Sequence, residues 1–494
     1  MRLPILTAIC AWAFYLPAFA APATCLSHVG QVHSASDAAE QRRAMQQEIA
    51  EFQRLAEEAL SLRAQAIRFH GELRQRLEGG GHLTGADLRT LNAGAVDLLA
   101  QRESLMAVAE AHECWADMSP GDDPQTVTIR RAGVATSLAA ALLLYDNYLL
   151  AVAPYRNDHA LRQHFNRQDS GFELHAGTLN RMAANFVSAD YRQRVRRAIL
   201  WYERHGGEAA GIEGEAYARR LIEQSPSLAM LRKIAPLREI ANRLDFAGAF
   251  GVDALFTLKS EGTHLSSLLF GNAVGLVETR RGKLYERADV AERVAAQLRA
   301  GDILVEKTPF RLTDTFIPGH WGHAAVWVGG EAELRDLGIW SHPVVRPHQA
   351  AIRAGRGVVE ALRSGVEMNS LPHFMNIDDL GVLRHEKLAD PARAEVILEA
   401  LRQVGKPYDF NFDAQTTHRV FCSKLVYLAY GDLQWPTSKM MGRVTVSPDD
   451  IAKRAIAGGP LAVVVLYHDG REVVEDRAEF MERLMRRVVL ARKD

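Results

Sequence analysis

No sign of charge dominates this chain: Lys plus Arg total 59 against 60 Asp plus Glu. That balance removes the electrostatic case for a nucleic-acid partner, which ordinarily needs a basic face. Internal repeats and low-complexity tracts are absent, and the histidines and acids show no zinc-type spacing, so no metal and no other cofactor is expected. Cysteine is scarce, with Cys10, Cys25, Cys114 and Cys422 the only four. Long apolar runs are few. One opens the chain, and the other, Ala135 to Ala153, carries Asp146 and Asn147 in its middle. A charge there is expensive in lipid, so this run reads as a buried core helix and not a membrane span. What remains, 48% hydrophobic and 24% charged residues, is ordinary for a soluble globular protein. At 494 residues the chain is too long for one compact core, so two or three domains are expected.

Met1-Arg2 supply a positive start, Leu3 to Leu16 are almost wholly apolar, and Ala18-Phe19-Ala20 has a small-x-small pattern. This reads as a secretory signal peptide cleaved near Ala20, with export to the periplasm or cell envelope. An uncleaved anchor would want a longer run, and Pro22-Ala23-Thr24 is a poor context for lipidation at Cys25. Cys10 leaves with the signal, so three cysteines face an oxidising compartment. Cys25 and Cys114 flank a helical hairpin whose antiparallel geometry brings its ends together, which makes them the natural disulfide. Cys422 is then the unpaired thiol, either a reactive group or a small buried hydrophobe.

The pattern from Ser36 to Trp115 is helical. Met45, Ile49, Phe52, Leu55 and Leu60 recur at helical steps, Gly79-Gly80-Gly81 breaks the run, and Thr84 reads as the N-cap of a returning helix. Residues 126–277 also read as mainly helical. His159, His164, His175 and His205 in this stretch are expected as surface or core histidines. After Arg299 short β-type runs appear: Asp302–Val305, Ala324–Val328, Val358–Leu362, Leu380–Arg384 and Leu461–Tyr467. Helices are predicted from Pro391 to Val404, with Gly405 at the end, from Cys422 or Ser423, and after Ser447 as N-cap. The expected organisation is a signal peptide (1–20), a helical hairpin (21–120), a mainly helical domain (121–284) and an α+β domain (285–494).

A thiol at a helix N-terminus sits at the positive end of the dipole, which favours thiolate, and Lys424 adds charge nearby. The candidate base is His323, at the mouth of a predicted strand, with His320 in the preceding Gly-rich loop less well anchored. Glu360, within the apolar run Val358-Val359-Glu360-Ala361-Leu362, is the candidate to orient the imidazole, or else it points outward to solvent.

Gly301-Asp302-Ile303-Leu304-Val305, the run Pro318-Gly319-His320-Trp321-Gly322-His323, Gly405-Lys406-Pro407-Tyr408-Asp409-Phe410, Phe421-Cys422-Ser423-Lys424-Leu425-Val426 and Ser447-Pro448-Asp449-Asp450 occur in that order. Together they resemble the permuted NlpC/P60 hydrolases of the YiiX type over about residues 285–470. The departure is Lys424, where an acidic residue is expected after Cys-Ser. The resemblance implies a circularly permuted papain-like fold, because the His precedes the Cys. It also implies Cys422 as nucleophile, His323 as base and then acid, and Glu360 as orienting residue. Tyr408 and Trp321 are the candidates to bind substrate, with packing the alternative for each. The first functional reading is an exported amidase or peptidase on cell-wall peptides or amino-acid conjugates, working through a thioester. The alternatives are a lipid-directed acyltransferase or esterase, or an inactive envelope scaffold whose helical region binds a protein or membrane-surface partner.

Overall fold

The computed structural model describes Cys25, Ser27 and residues 38–116, 124–205, 211–232, 280–309, 319–409, 412–440, 443–456 and 458–491. The expected signal segment and Cys10 lie outside these residues, as does Phe410. Within 39–232 the described chain is largely helical, and a sheet-containing region follows. Two compact units share the chain: one comprises residues 1–63, 99–150 and 185–236, the other 64–98, 151–184 and 237–494.

Helix α1 (Ala38–Glu78) ends where Gly80 takes φ +79° and the Gly79 and Gly81 amides close on Gln75 and Arg76. Glycine is needed there because an L side chain resists that conformation. Helix α2 (Gly85–Ala111) begins at a reciprocal cap: the Asp87 amide donates to Thr84 Oγ1 at 3.1 Å, and the Thr84 amide donates to Asp87 Oδ2 at 2.7 Å. Such caps contribute about 1 kcal/mol.

In the first unit, Met45, Ile49, Trp115, Ile129 and Ala132 form a buried cluster beside the Cys25–Cys114 disulfide, whose Cα atoms lie 6.0 Å apart. Helix α3 (Pro124–Asn147) runs through this unit, with Ala135, Leu138, Ala139 and Leu142 packed against Phe52, Leu105, Ile199 and Ile222. The stretch Val127–Asn157 is long and apolar enough to cross a membrane by composition, but 72% of its apolar window is buried in protein. Asp146 within it is buried and accepts from the Ser225 hydroxyl and the Ser227 amide, each at 3.0 Å. A satisfied polar group of this kind belongs to a protein core.

The second unit holds a seven-stranded antiparallel sheet of order β4-β3-β2-β1-β5-β8-β9. Its strands are β1 (Ile303–Lys307), β2 (His323–Trp327), β3 (Val358–Leu362), β4 (Gly365–Asn369), β5 (Asp379–Arg384), β8 (Ala462–His468) and β9 (Arg471–Glu472). A separate hairpin pairs β6 (Ser438–Met440) with β7 (Arg443–Thr445). Alternation along the strands builds two cores. Ile303, Val305, Ala324, Val326, Val359 and Ala361 share one with helices α4 (Asp390–Arg402) and α5 (Cys422–Ala429). Leu304, Ala325, Val358, Leu380 and Val382 share the other with Leu284, Val290, Val294 and Phe374. Gly405, predicted as the helix stop, has φ +87°. A capping box at Ser447 and Asp450 starts helix α6 (Pro448–Ala452).

Candidate functional site

Helix α5 packs against β2, so the first residue of one meets the first residue of the other. Cys422, 4% exposed, hydrogen-bonds through its thiol to the His323 ring. His323 Nε2 lies 3.0 Å from Glu360 Oε2, which leaves Nδ1 for the sulfur. The second oxygen of Glu360 accepts from Asn369 Nδ2 at 2.9 Å. Sheet register explains the convergence. Glu360 stands opposite Ala325, two residues from His323, so both side chains emerge on one face. Of the two orientations left open for Glu360, the structure places it inward, 3% exposed.

The electrostatics follow from this geometry. Burial pushes the Cys422 thiol up. The hydrogen bond and charge of His323, with the Ala324 and Ser423 amides, outweigh burial and bring it below the ordinary thiol value. Burial also opposes the charged form of His323, but the hydrogen bonds it donates to Cys422 and Glu360 carry its imidazole well above the ordinary range. Burial raises Glu360 while its bond to His323 lowers it, and the net direction is downward. The arrangement therefore favours thiolate and imidazolium over thiol and imidazole.

Glu306 also belongs here. It is buried on β1 directly opposite His323 and adds to the charge that favours the imidazolium. Nothing in Ile303-Leu304-Val305-Glu306-Lys307 singles it out; only strand pairing brings it to the histidine.

Tyr408 forms an isolated parallel bridge with Val420, two residues before Cys422, and burial first and the Cys422 charge second push its phenol well above the usual range. Trp321 does not line a groove. It is fully buried in the core, with its ring near Gly381, because the main chain on either side is fixed inward. The His320 and Trp321 amides donate to the two oxygens of Asp449 at 3.1 and 2.8 Å. Gly319, at φ +113°, runs so close to that carboxylate that a Cβ would collide with it. His320 is likewise well anchored, contrary to expectation: it is buried, with Nε2 2.9 Å from Asp379 Oδ2.

Lys424 does not serve as a charge beside the sulfur. It is fully buried, and its Nζ bonds Asp409 Oδ2 at 3.0 Å, the Asp413 carbonyl at 2.6 Å and Thr416 Oγ1 at 2.7 Å. A second buried lysine, Lys406, pairs with Asp169 at 2.7 Å and donates to the Thr417 carbonyl at 2.9 Å. Asn92 Nδ2 donates to the other Asp169 oxygen at 3.0 Å, and His164 Nε2 meets Asn92 Oδ1 at 2.9 Å. The loop that carries Tyr408 is thus held from both sides by charged, satisfied groups.

Residues 297–481 match the family model described as permuted papain-like amidase enzyme, YaeF/YiiX, C92 family. Over this span the chain is similar to that amidase family. Cys422, His323, Glu360, Glu306 and Tyr408 all fall inside the matched span. The match supports a hydrolase of the amidase class for the C-terminal region. No curated protein and no solved structure matches the chain.

Proposed function

We propose that the chain is an exported cysteine amidase that cleaves amide bonds of cell-wall peptides or amino-acid conjugates through a thioester at Cys422. The observation that carries this reading is His323, bonded on one side to the Cys422 thiol and on the other to Glu360. That is the constellation a thiolate nucleophile with an oriented acid–base partner requires.

The Cys422 thiolate attacks the substrate carbonyl carbon, forming a C–S bond while the carbonyl electron pair moves onto oxygen. The backbone N–H of Cys422, at the start of α5, is a donor for that oxyanion. As the carbonyl re-forms, the C–N bond breaks and imidazolium His323 gives its proton to the departing amine. Neutral His323 then takes a proton from water, whose oxygen attacks the thioester. The acid leaves, and Cys422 and His323 return as thiolate and imidazolium. Glu360 holds the ring through both halves and stabilises its charged form. Tyr408 remains a protonated phenol. His323 preceding Cys422 is the order of a permuted papain-like chain.

Export is part of the proposal. It is supported by the Cys25–Cys114 disulfide, since such bonds persist in oxidising compartments. The helical region is proposed as the surface for an envelope partner.

The test is a substrate panel of peptidoglycan peptides, N-acyl amino acids and phospholipids, assayed with the mature protein, Cys422→Ala and His323→Ala. Release of free amine from the first two classes, lost in both variants, supports the reading. Activity confined to phospholipid esters would replace it with lipid-directed acyl chemistry.

A further inference from the structure

Away from Cys422, three residues distant in sequence meet at one rim of the sheet. His320 precedes β2, Asp379 is the first residue of β5, and His468 is the last residue of β8. His320 Nε2 and His468 Nδ1 each lie 2.9 Å from the same oxygen, Asp379 Oδ2. All three atoms lie within 4.8 Å of one another. The other oxygen of Asp379 accepts from the Asp469 amide at 2.7 Å, which fixes the direction of the carboxylate. The His320 amide is fixed in turn by Asp449.

We propose that His320, Asp379 and His468 form a binding site for a divalent transition-metal ion of the zinc type. Two imidazoles and one carboxylate form a donor set that such ions favour. Metal–ligand bonds of ~2.1 Å in tetrahedral geometry separate neighbouring donor atoms by about 3.4 Å, so the two nitrogen–oxygen separations of 2.9 Å need open only by about half an ångström to admit an ion. The remaining contacts have the character of support for ligands: a carboxylate whose free oxygen is tied to backbone, and a histidine whose main chain is held by a second acid. His320 and Asp379 are buried, while the His468 side chain is 33% exposed, so an ion can enter from that side and keep water on its open positions. A bound ion ties β5 and β8 to the turn that leads into His323. The site shares no ligand with Cys422, His323 and Glu360, so its fate is independent of the proposed amidase chemistry.

The alternative is an ion-free clasp in which both rings donate to Asp379. Full-length mature protein carrying Cys422→Ala, without an affinity tag and stripped by chelator, separates the two. Titration with Co2+, read by visible absorbance and native mass, is expected to saturate at one ion, which Zn2+ displaces, and saturating Zn2+ raises the thermal midpoint. In His468→Ala, a position one-third exposed, binding is expected to weaken at least tenfold with an unchanged circular dichroism spectrum. Asp379→Asn is expected to do the same. Absence of saturable binding in the parent overturns the proposal, and so does equal binding in His468→Ala.

Discussion

The imidazole of His323 lies 3.0 Å from Glu360 through Nε2, and Glu360 is in turn held by Asn369 at 2.9 Å. This chain from β4 through β3 to β2 orients the ring toward Cys422 and supplies the negative charge that keeps it protonated. Hydrogen bonds to charged groups contribute about 1.5–3 kcal/mol. Glu360→Gln is therefore expected to lower kcat roughly tenfold to a hundredfold.

The same variant makes a pH prediction with a definite sign. The active pair exists above the lowered thiol value of Cys422 and below the raised imidazolium value of His323. The rate rises as Cys422 deprotonates and falls as His323 loses its proton. Removing the Glu360 charge moves the alkaline limb to lower pH, which a kcat/KM profile reads. An unmoved alkaline limb contradicts the role given to Glu360.

The buried Lys406–Asp169 pair predicts a stability effect. Its side chains are 1% and 3% exposed, so removing one partner strands the other charge. Lys406→Met is expected to destabilise the second unit by about 3–5 kcal/mol, with much of it recovered in Lys406→Met plus Asp169→Leu. The exposed pair Arg486–Glu482 serves as control, with Arg486→Ala costing within about 1 kcal/mol. Hydrogen exchange across residues 400–430 of the full chain measures the difference.

His164 predicts an acid sensitivity. Burial pushes its imidazole down to about 4, so it stays neutral and donates from Nε2 to Asn92. Its unfolded value is about 6.5. Between these values the unfolded chain binds the extra proton, so stability falls as pH drops from about 6.5 towards 4, by up to about 3 kcal/mol. His164→Gln keeps a donor without a titrating ring and is expected to flatten that part of a plot of thermal midpoint against pH.

Local chemistry was legible in the sequence where it repeats along the chain. The runs at Val358–Leu362 and Leu380–Arg384 fall on β3 and β5, and Thr84, Gly405 and Ser447 mark helix ends. Strand β4 was not legible, because Gly365-Val366-Glu367-Met368-Asn369 offers only two apolar residues, Val366 and Met368, and follows a tight turn. Cys422, His323 and Glu360 could be read because each is anomalous in its own segment: a lone thiol at a helix start, a histidine at a strand mouth, an acid in an apolar run. Their meeting is a property of the register. Glu306 and the His320–Asp379–His468 cluster carry no local anomaly, since long-range pairing alone assembles them. Lys424 reads from sequence as a charge for the thiol, but Asp409, Asp413 and Thr416, which pair with it instead, lie outside its own segment. Asn92 and Asp169 belong to segments whose helical pattern gives no sign that they brace a loop hundreds of residues later.

The central claim is that Cys422 is a thiolate held by His323, and its alkylation rate against pH tests that most directly. Mature protein is treated with iodoacetamide from acid to alkaline pH, with adducts located by mass mapping. One adduct is predicted, at Cys422, forming at pH values where an ordinary thiol is inert, absent in Cys422→Ala, and shifted towards ordinary thiol behaviour in His323→Ala. A Cys422 alkylation profile that matches a free thiol and ignores His323→Ala would contradict the account.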